Sequence, residues 1–273
     1  MRIRVFHQLT HEFAPPAKQL IQTLRLTPRN HEGQYVAHWR IEVDMESRLR
    51  QSADAFGNFT HVLSVDGPVE RLTLTVDGVV ETHDTTGIVR GALERFPPGL
   101  YLRETPLTLP DDTVRALAEE IRADIGPEAL PFLHGLMNRL HAEASVAPQG
   151  SGGPAENAAS ASPLDDAEGL AHRFIAAARH ADIPARYVTG YLWRDNERQS
   201  QRGLHAWSEA HVAGLGWIAF DPTVNACPTT AHVRVAVGLD SLGAAPIRAS
   251  RYGFGEENLD VKVQVMAQSQ SQN

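Results

Sequence analysis

The chain has a single cysteine, Cys227, in 273 residues. No internal disulfide can staple it, so the fold must rest on a buried core. One thiol fits a reducing compartment, and a cytoplasmic location is the expectation. No hydrophobic run approaches the roughly 20 residues that cross a bilayer, so no membrane span is expected. The opening MRIRVFHQLTHEF has neither an apolar centre nor a small-residue cleavage site, so no signal peptide is read there. No basic run is present: Lys and Arg number 25 against 33 Asp and Glu, a net charge of −8. Nucleic-acid binders usually display a basic patch, so that class of partner is not expected. No cofactor motif and no strong metal-ligand spacing occur, and neither a cofactor nor a metal is expected. What is present is the composition of a globular chain, 42% hydrophobic and 21% charged, long enough for one large domain or two ordinary ones.

The first part of the chain alternates apolar and polar residues with period two. Arg2 to His7, Gln19 to Leu26, Val36 to Val43, Thr60 to Val65 and Arg71 to Val76 read as strands. Turn-forming residues separate them at Pro28-Arg29-Asn30, Asp54 to Asn58, Asp66-Gly67-Pro68 and Asp77-Gly78. Short strands at regular spacing predict a β-sandwich-like N-terminal domain, 1–90, that serves packing rather than catalysis.

Helical periodicity starts after Pro110. Asp111-Asp112 precedes Val114, Leu117, Ala118 and Ile121, an apolar stripe with acidic residues in its first turn. A second helix is expected over Glu128 to His141. The segment near 145–162 is Gly, Ser, Ala and Pro without period, and reads as a flexible loop, with 149–161 the least ordered part. Ser162 and Pro163 then open a helix with Ala167, Leu170, Ala171, Phe174, Ile175 and Ala178 on one face. Pro184 prevents its continuation, and Ala185 to Leu192 reads as a strand. Two further strands are expected at Val233 to Val237 and Asp260 to Val265.

The stretch that carries chemistry is Leu204 to Thr223, LHAWSEAHVAGLGWIAFDPT. Its alternation, its turn at Gly214-Leu215-Gly216 and its second apolar run predict a β-hairpin. His205 opens one strand and Asp221 closes the next, so antiparallel pairing brings an imidazole to a carboxylate. That pair is two-thirds of a nucleophilic triad. Ser208 is close in sequence but alternates to the opposite face. His205, Glu209 and His211 share a face, yet their spacing matches no strong zinc pattern.

IPARYVTGYL, then HAW-x-EA-x-V, then LGW-x-x-FDPT, then HVRVAVGLD, resembles the bacterial transglutaminase-like family of the cysteine protease superfamily. The early strands and ETPLTLPDD resemble the β-rich region that precedes that core. The resemblance implies an α+β architecture in which a papain-like transglutaminase core, 91–273, packs helices on an antiparallel sheet. It implies that His205 is the catalytic histidine and Asp221 the residue that orients it. The family's nucleophilic cysteine stands ahead of an A-H-x-F-like stretch, here Ala171-His172-Arg173-Phe174, and that alignment puts Ala167 at the cysteine position. Asp165, Asp166 and Glu168 flank it, where negative charge would oppose a thiolate. His172 and Trp207 are the expected binding residues beside the cleft.

Three readings follow. The chain is a catalytically inactive homologue that acts by binding a peptide or protein. It is an acyl-transfer or cysteine-protease-like enzyme that uses another nucleophile such as Cys227. Or it is a structural member of a larger assembly. The resemblance adds a peptide-ligase-like protein as a candidate partner.

Overall fold

The computed structural model describes residues 1–146, 163–195, 203–252 and 256–267, without the side chains of 146 and 163–166. The segment 149–161, expected to be flexible, lies outside the described residues. The chain is β-rich with three helices, broadly α+β, and its strands form two antiparallel sheets.

The first sheet is built on two long strands, β1 (Arg2–Leu24) and β4 (Phe59–Thr82), antiparallel along nearly their whole length. β2 (Gln34–Val43) pairs with the second half of β4 and β3 (Arg48–Ala53) with its first half. Where a sandwich of short strands was expected, one six-stranded sheet is found. The difference lies at the glycines read as turns. Gly67 lies within β4, where an added Cβ would sit 2.2 Å from the Ala17 carbonyl oxygen. The chains approach this closely because β1 has register shifts between Glu12, Ala17 and Gln19, around prolines that cannot donate to a ladder. Gly78 lies under the Trp39 ring. Both glycines therefore mark close contact inside a strand rather than a reversal. Leu9, Leu20, Leu24, Leu63, Leu72 and Leu74 share a buried cluster on the inner side of this sheet.

The second sheet runs β5 (Ile88–Val89), β8 (Gly216–Phe220), β7 (His205–Val212), β6 (Ala185–Leu192) and β9 (His232–Gly238) in spatial order. Three helices share its main buried cluster: α1 (Asp112–Ile125), α2 (Ala129–Val146) and α3 (Pro163–His180). Asp111 caps α1, its Oδ1 accepting from the Val114 N–H at 2.8 Å. The apolar face of α3 is buried at Leu170, Ala171, Phe174, Ile175 and Ala178. α3 stops before Pro184 is reached: Asp182 takes φ 60°, and the Ile183 N–H returns to the Ala178 carbonyl at 2.9 Å.

Two features join the sheets. The C-terminal strands β10 (Ile247–Tyr252) and β11 (Glu256–Ala267), expected within the 91–273 core, pair with β1 of the first sheet. The free edge of β9 is capped by two carboxamides from the N-terminal region. Gln34 donates to the Arg234 carbonyl at 2.9 Å and accepts from the Arg234 N–H at 2.8 Å. Asn58 does the same to Val237, at 2.8 Å in both directions. Each side chain acts as one rung of a missing strand. We predict that Asn58→Leu, which leaves the Val237 N–H and C=O buried without partners, lowers unfolding stability by about 2 kcal/mol or more in denaturant titration. A loss under about 0.5 kcal/mol would show that this cap is not needed to hold the two sheets together.

Candidate functional site

The β7–β8 hairpin reverses through Gly214 and Gly216, at φ 82° and 89°, and sets Ser208 opposite Phe220. One step along that register brings Asp221 beside Trp207, on the face of the sheet that carries His205. His205 Nε2 lies 2.6 Å from Asp221 Oδ2. A third group that sequence reading missed completes the cluster: His232, the first residue of β9, places its Nε2 3.1 Å from the same oxygen. The Thr223 N–H donates to Asp221 Oδ1 at 2.9 Å. All three side chains are buried. Burial alone would raise the Asp221 carboxyl, but the hydrogen bonds and charges of His205 and His232 outweigh it and hold it well below the usual carboxylate range. Burial pushes His232 down from its ordinary value, against the pull of Asp221. Only its place at the head of the strand-like run HVRVAV hinted at His232 in the sequence.

The donor atoms of His205, Asp221 and His232 lie within 4.8 Å of one another, a set that could be read as a metal site. Their hydrogen bonds argue otherwise. The Thr229 N–H donates to His232 Nδ1 at 3.2 Å. A metal on Nε2 would move that ring's proton to Nδ1, where it would face another donor, whereas ligating histidines normally direct that N–H to an acceptor. The His205–Glu209–His211 alternative also fails as a ligand set. Glu209 Oε2 accepts from Arg186 at 2.7 Å, and Oε1 from Arg234 at 2.7 Å. His211 packs edge-on against Trp217.

That ion network is the second feature missed in the sequence. Arg186 is fully buried; besides Glu209 it bonds Glu94 with both terminal nitrogens, at 2.6 and 2.9 Å. Burial would raise the Glu209 carboxyl, but Arg234 and Arg186 overcome it and hold it at about 2. The charged residues inside ARYVTGYL and HAWSEAHV were the available signal.

The remaining expected residues are distributed as follows. Ala167 is buried in the cluster that also holds Ala206, the neighbour of His205. Glu168 lines a cavity of about 330 Å³ with Leu204 and Ala206, the residues on either side of His205. The first turns of α3 and the start of β7 are therefore adjacent. The alternation along β7 is strict: Ser208 faces α3, donating to the Ala171 carbonyl at 3.1 Å, and so cannot join His205 on the other face. Asp165 and Asp166 have side chains outside those described. His172, expected to bind ligand, is engaged within the fold: its Nε2 accepts from the Ser241 N–H at 3.1 Å, and its ring lies on Tyr187. Trp207 is only 1% exposed, so it walls the site rather than touching a ligand. Its ring covers Gly190, where an added Cβ would come within 2.6 Å of the indole. Cys227 sits against Gly87, and burial raises its thiol above the ordinary value.

Comparison with known proteins agrees with this architecture. Residues 3–81 match the bacterial transglutaminase-like N-terminal region, and residues 115–222 the transglutaminase-like superfamily core. The uncharacterized protein ML0607 of Mycobacterium leprae is 26% identical over 97% of this chain and 98% of its own length. An uncharacterized protein of Haemophilus influenzae is 24% identical over 71% of this chain and 61% of its own. A crystal structure from Cytophaga hutchinsonii, provisionally named a cysteine protease, superposes with a TM-score of 0.67 at 19% identity, covering 98% of this chain and 92% of that one. It shares the fold.

The Glu209 network gives a pH dependence. Unfolded, this carboxylate titrates near 4.5; folded, near 2. Its contribution is thus complete above pH 4.5 and lost as pH falls toward 2, because the unfolded chain binds the proton first. Over that span the loss is on the order of 3 kcal/mol. Glu209→Gln should lower stability at pH 7 by a similar amount, since it strands two guanidinium groups, and should flatten the acid limb of the stability curve. An unchanged acid limb in the variant would place that sensitivity elsewhere.

Proposed function

Because this chain belongs to the transglutaminase-like superfamily, carrying its bacterial N-terminal region and its core, we propose that it is a member without a nucleophile, acting by binding a peptide or protein at the retained site. The observation that carries this reading is the pairing of an intact His205–Asp221 hydrogen bond, 2.6 Å long, with an alanine at 167. A methyl group cannot attack a carbonyl, while the base and its orienting carboxylate are still assembled. A cytoplasmic location and a peptide-ligase-like partner belong to the same proposal.

The enzymatic alternative needs another nucleophile. Cys227 is ill suited to it: its thiol is raised by burial, and it forms no hydrogen bond with a described histidine. A reactive cysteine is instead lowered by neighbouring positive charge or a helix N-terminus.

Two measurements test the proposal. In the native chain, a thiol-reactive probe at neutral pH should label Cys227 slowly, and equally slowly after His205→Asn. Labelling that depends on His205 would make the chain an enzyme. With Cys227→Ser, Ala167→Cys should give a thiol whose alkylation has an apparent pKa near or above the free value of about 8.5, because acidic residues crowd that helical turn. Adding Asp165→Gly and Asp166→Val should lower it. A pKa well below about 8.5 in the single variant would mean that the acidic flank does not disarm the position.

A further inference from the structure

The Asp221 carboxylate is shared, and how it is shared fixes proton positions. Asp221 is ionised, so both imidazole nitrogens that meet its Oδ2 must donate: His205 Nε2 at 2.6 Å and His232 Nε2 at 3.1 Å. For His232 the tautomer is fixed twice. Its Nδ1 accepts from the Thr229 N–H at 3.2 Å, so that nitrogen carries a lone pair and Nε2 carries the proton. Protonating Nδ1 would set two donors against each other, and burial already disfavours the cation.

His232 is therefore a neutral, one-directional donor, passing the polarity of the Thr229 amide to Asp221. The loop between Asp221 and His232 is tied at both ends. Asp221 and Ala226 exchange backbone hydrogen bonds at 3.0 and 3.2 Å, and the His232 N–H returns to the Thr229 carbonyl at 3.2 Å. The titratable and charged groups facing His232 are Asp221, His205 and Arg194. Of these, Asp221 accepts its proton. The carboxylate is thereby held from three sides, by His232, by the Thr223 amide and by His205.

We propose that His232 is a positioning residue. Acting through Asp221, it keeps the His205 Nε2–H directed at the carboxylate, so that Nδ1 is the ring nitrogen left to meet a ligand. No described residue bonds that Nδ1. In the Nε2–H tautomer that nitrogen is a hydrogen-bond acceptor, and the matching ligand group is an N–H or O–H donor. This rests on the reading of His205 and Asp221 as a retained base and orienter.

The test is nitrogen-15 NMR of histidine-labelled protein. In the native chain both rings should appear as the Nε2–H tautomer, with hydrogen-bonded protons shifted downfield. A His232 ring protonated on Nδ1 overturns the proposal without any variant. His232→Gln keeps a carboxamide donor for Asp221 and an acceptor for Thr229, and should leave the His205 tautomer in place. His232→Leu should give mixed His205 tautomers and a solvent-exchanging Nε2–H. A His205 signal unchanged in a folded leucine variant, or lost equally in the glutamine variant, overturns the proposal. In the Ala167→Cys, Cys227→Ser background, alkylation at neutral pH should slow about tenfold in His232→Leu, the effect of roughly one pKa unit, and recover in His232→Gln. If that thiol instead ignores His205 altogether, the reading of residue 167 fails, while the NMR result still decides the role of His232.

Discussion

Charge buried on one face of the second sheet is the constraint on which the rest of the structure depends. His205, Glu209, Arg186, Arg234, Asp221 and His232 all lie on one face of that sheet, set there together by the register of β6, β7, β8 and β9, with His205 at the end of its strand beside the start of α3. A buried charge is tolerated only when it is paired and its remaining lone pairs are used. The two groupings meet this demand differently. Glu209 takes two guanidinium partners, and Arg186 adds Glu94 from the segment before α1. Asp221 takes two imidazoles and a backbone amide. Trp207 lies between them, against the His232 ring edge and stacked on His205.

This demand explains why the N-terminal region cannot be an independent ornament. A face of this kind must be kept from water by a cover that does not compete for its hydrogen bonds. The cover comes from the first sheet and its connections, and it is fastened by polar groups matched one to one. Gln34 and Asn58 supply the two rungs on β9. His7 of β1 meets the Tyr191 hydroxyl at 3.1 Å, and burial takes that imidazole down to about 4, so it stays neutral and adds no charge to the seam. β10 and β11 return from the end of the second sheet to pair with β1, so the first sheet is completed only after the core has been traversed.

What was legible in the sequence was whatever depends on local pattern. The hairpin followed from alternation and a glycine turn, α1 from its acidic first turn and stripe, and α3 from its apolar face. What was not legible depends on partners far along the chain. Asp66-Gly67-Pro68 has turn chemistry, yet the glycine serves a close approach to Ala17 and Lys18, some fifty positions away. The pairing of β10 and β11 with β1 leaves no local mark. His232 and Arg186 look like ordinary strand residues until register sets them beside Asp221 and Glu209. Family resemblance supplied the roles expected of His205 and Asp221. The second histidine on the carboxylate came only from geometry.

If 167 is the nucleophile position, as proposed above, the same constraint bears on which members of the site the fold holds in place. Position 167 is a small buried residue on the apolar face of α3, among Leu170, Ala171 and Ala206. Alanine there strands no charge and suits a helix. His205 and Asp221 have no such freedom. Removing the imidazole would leave a fully buried carboxylate short of a donor, and removing the carboxylate would leave two imidazole N–H groups without an acceptor. Breaking a buried pair from one side costs about 3 to 5 kcal/mol, a large part of the stability of an ordinary domain. On the proposed reading, the nucleophile position is thus the one the fold releases most easily, while His205 and Asp221 are retained by folding alone. Their presence is therefore weak testimony for catalysis. On the proposed reading, the residue that testifies about chemistry is 167, a position whose side chain the fold does not constrain by charge.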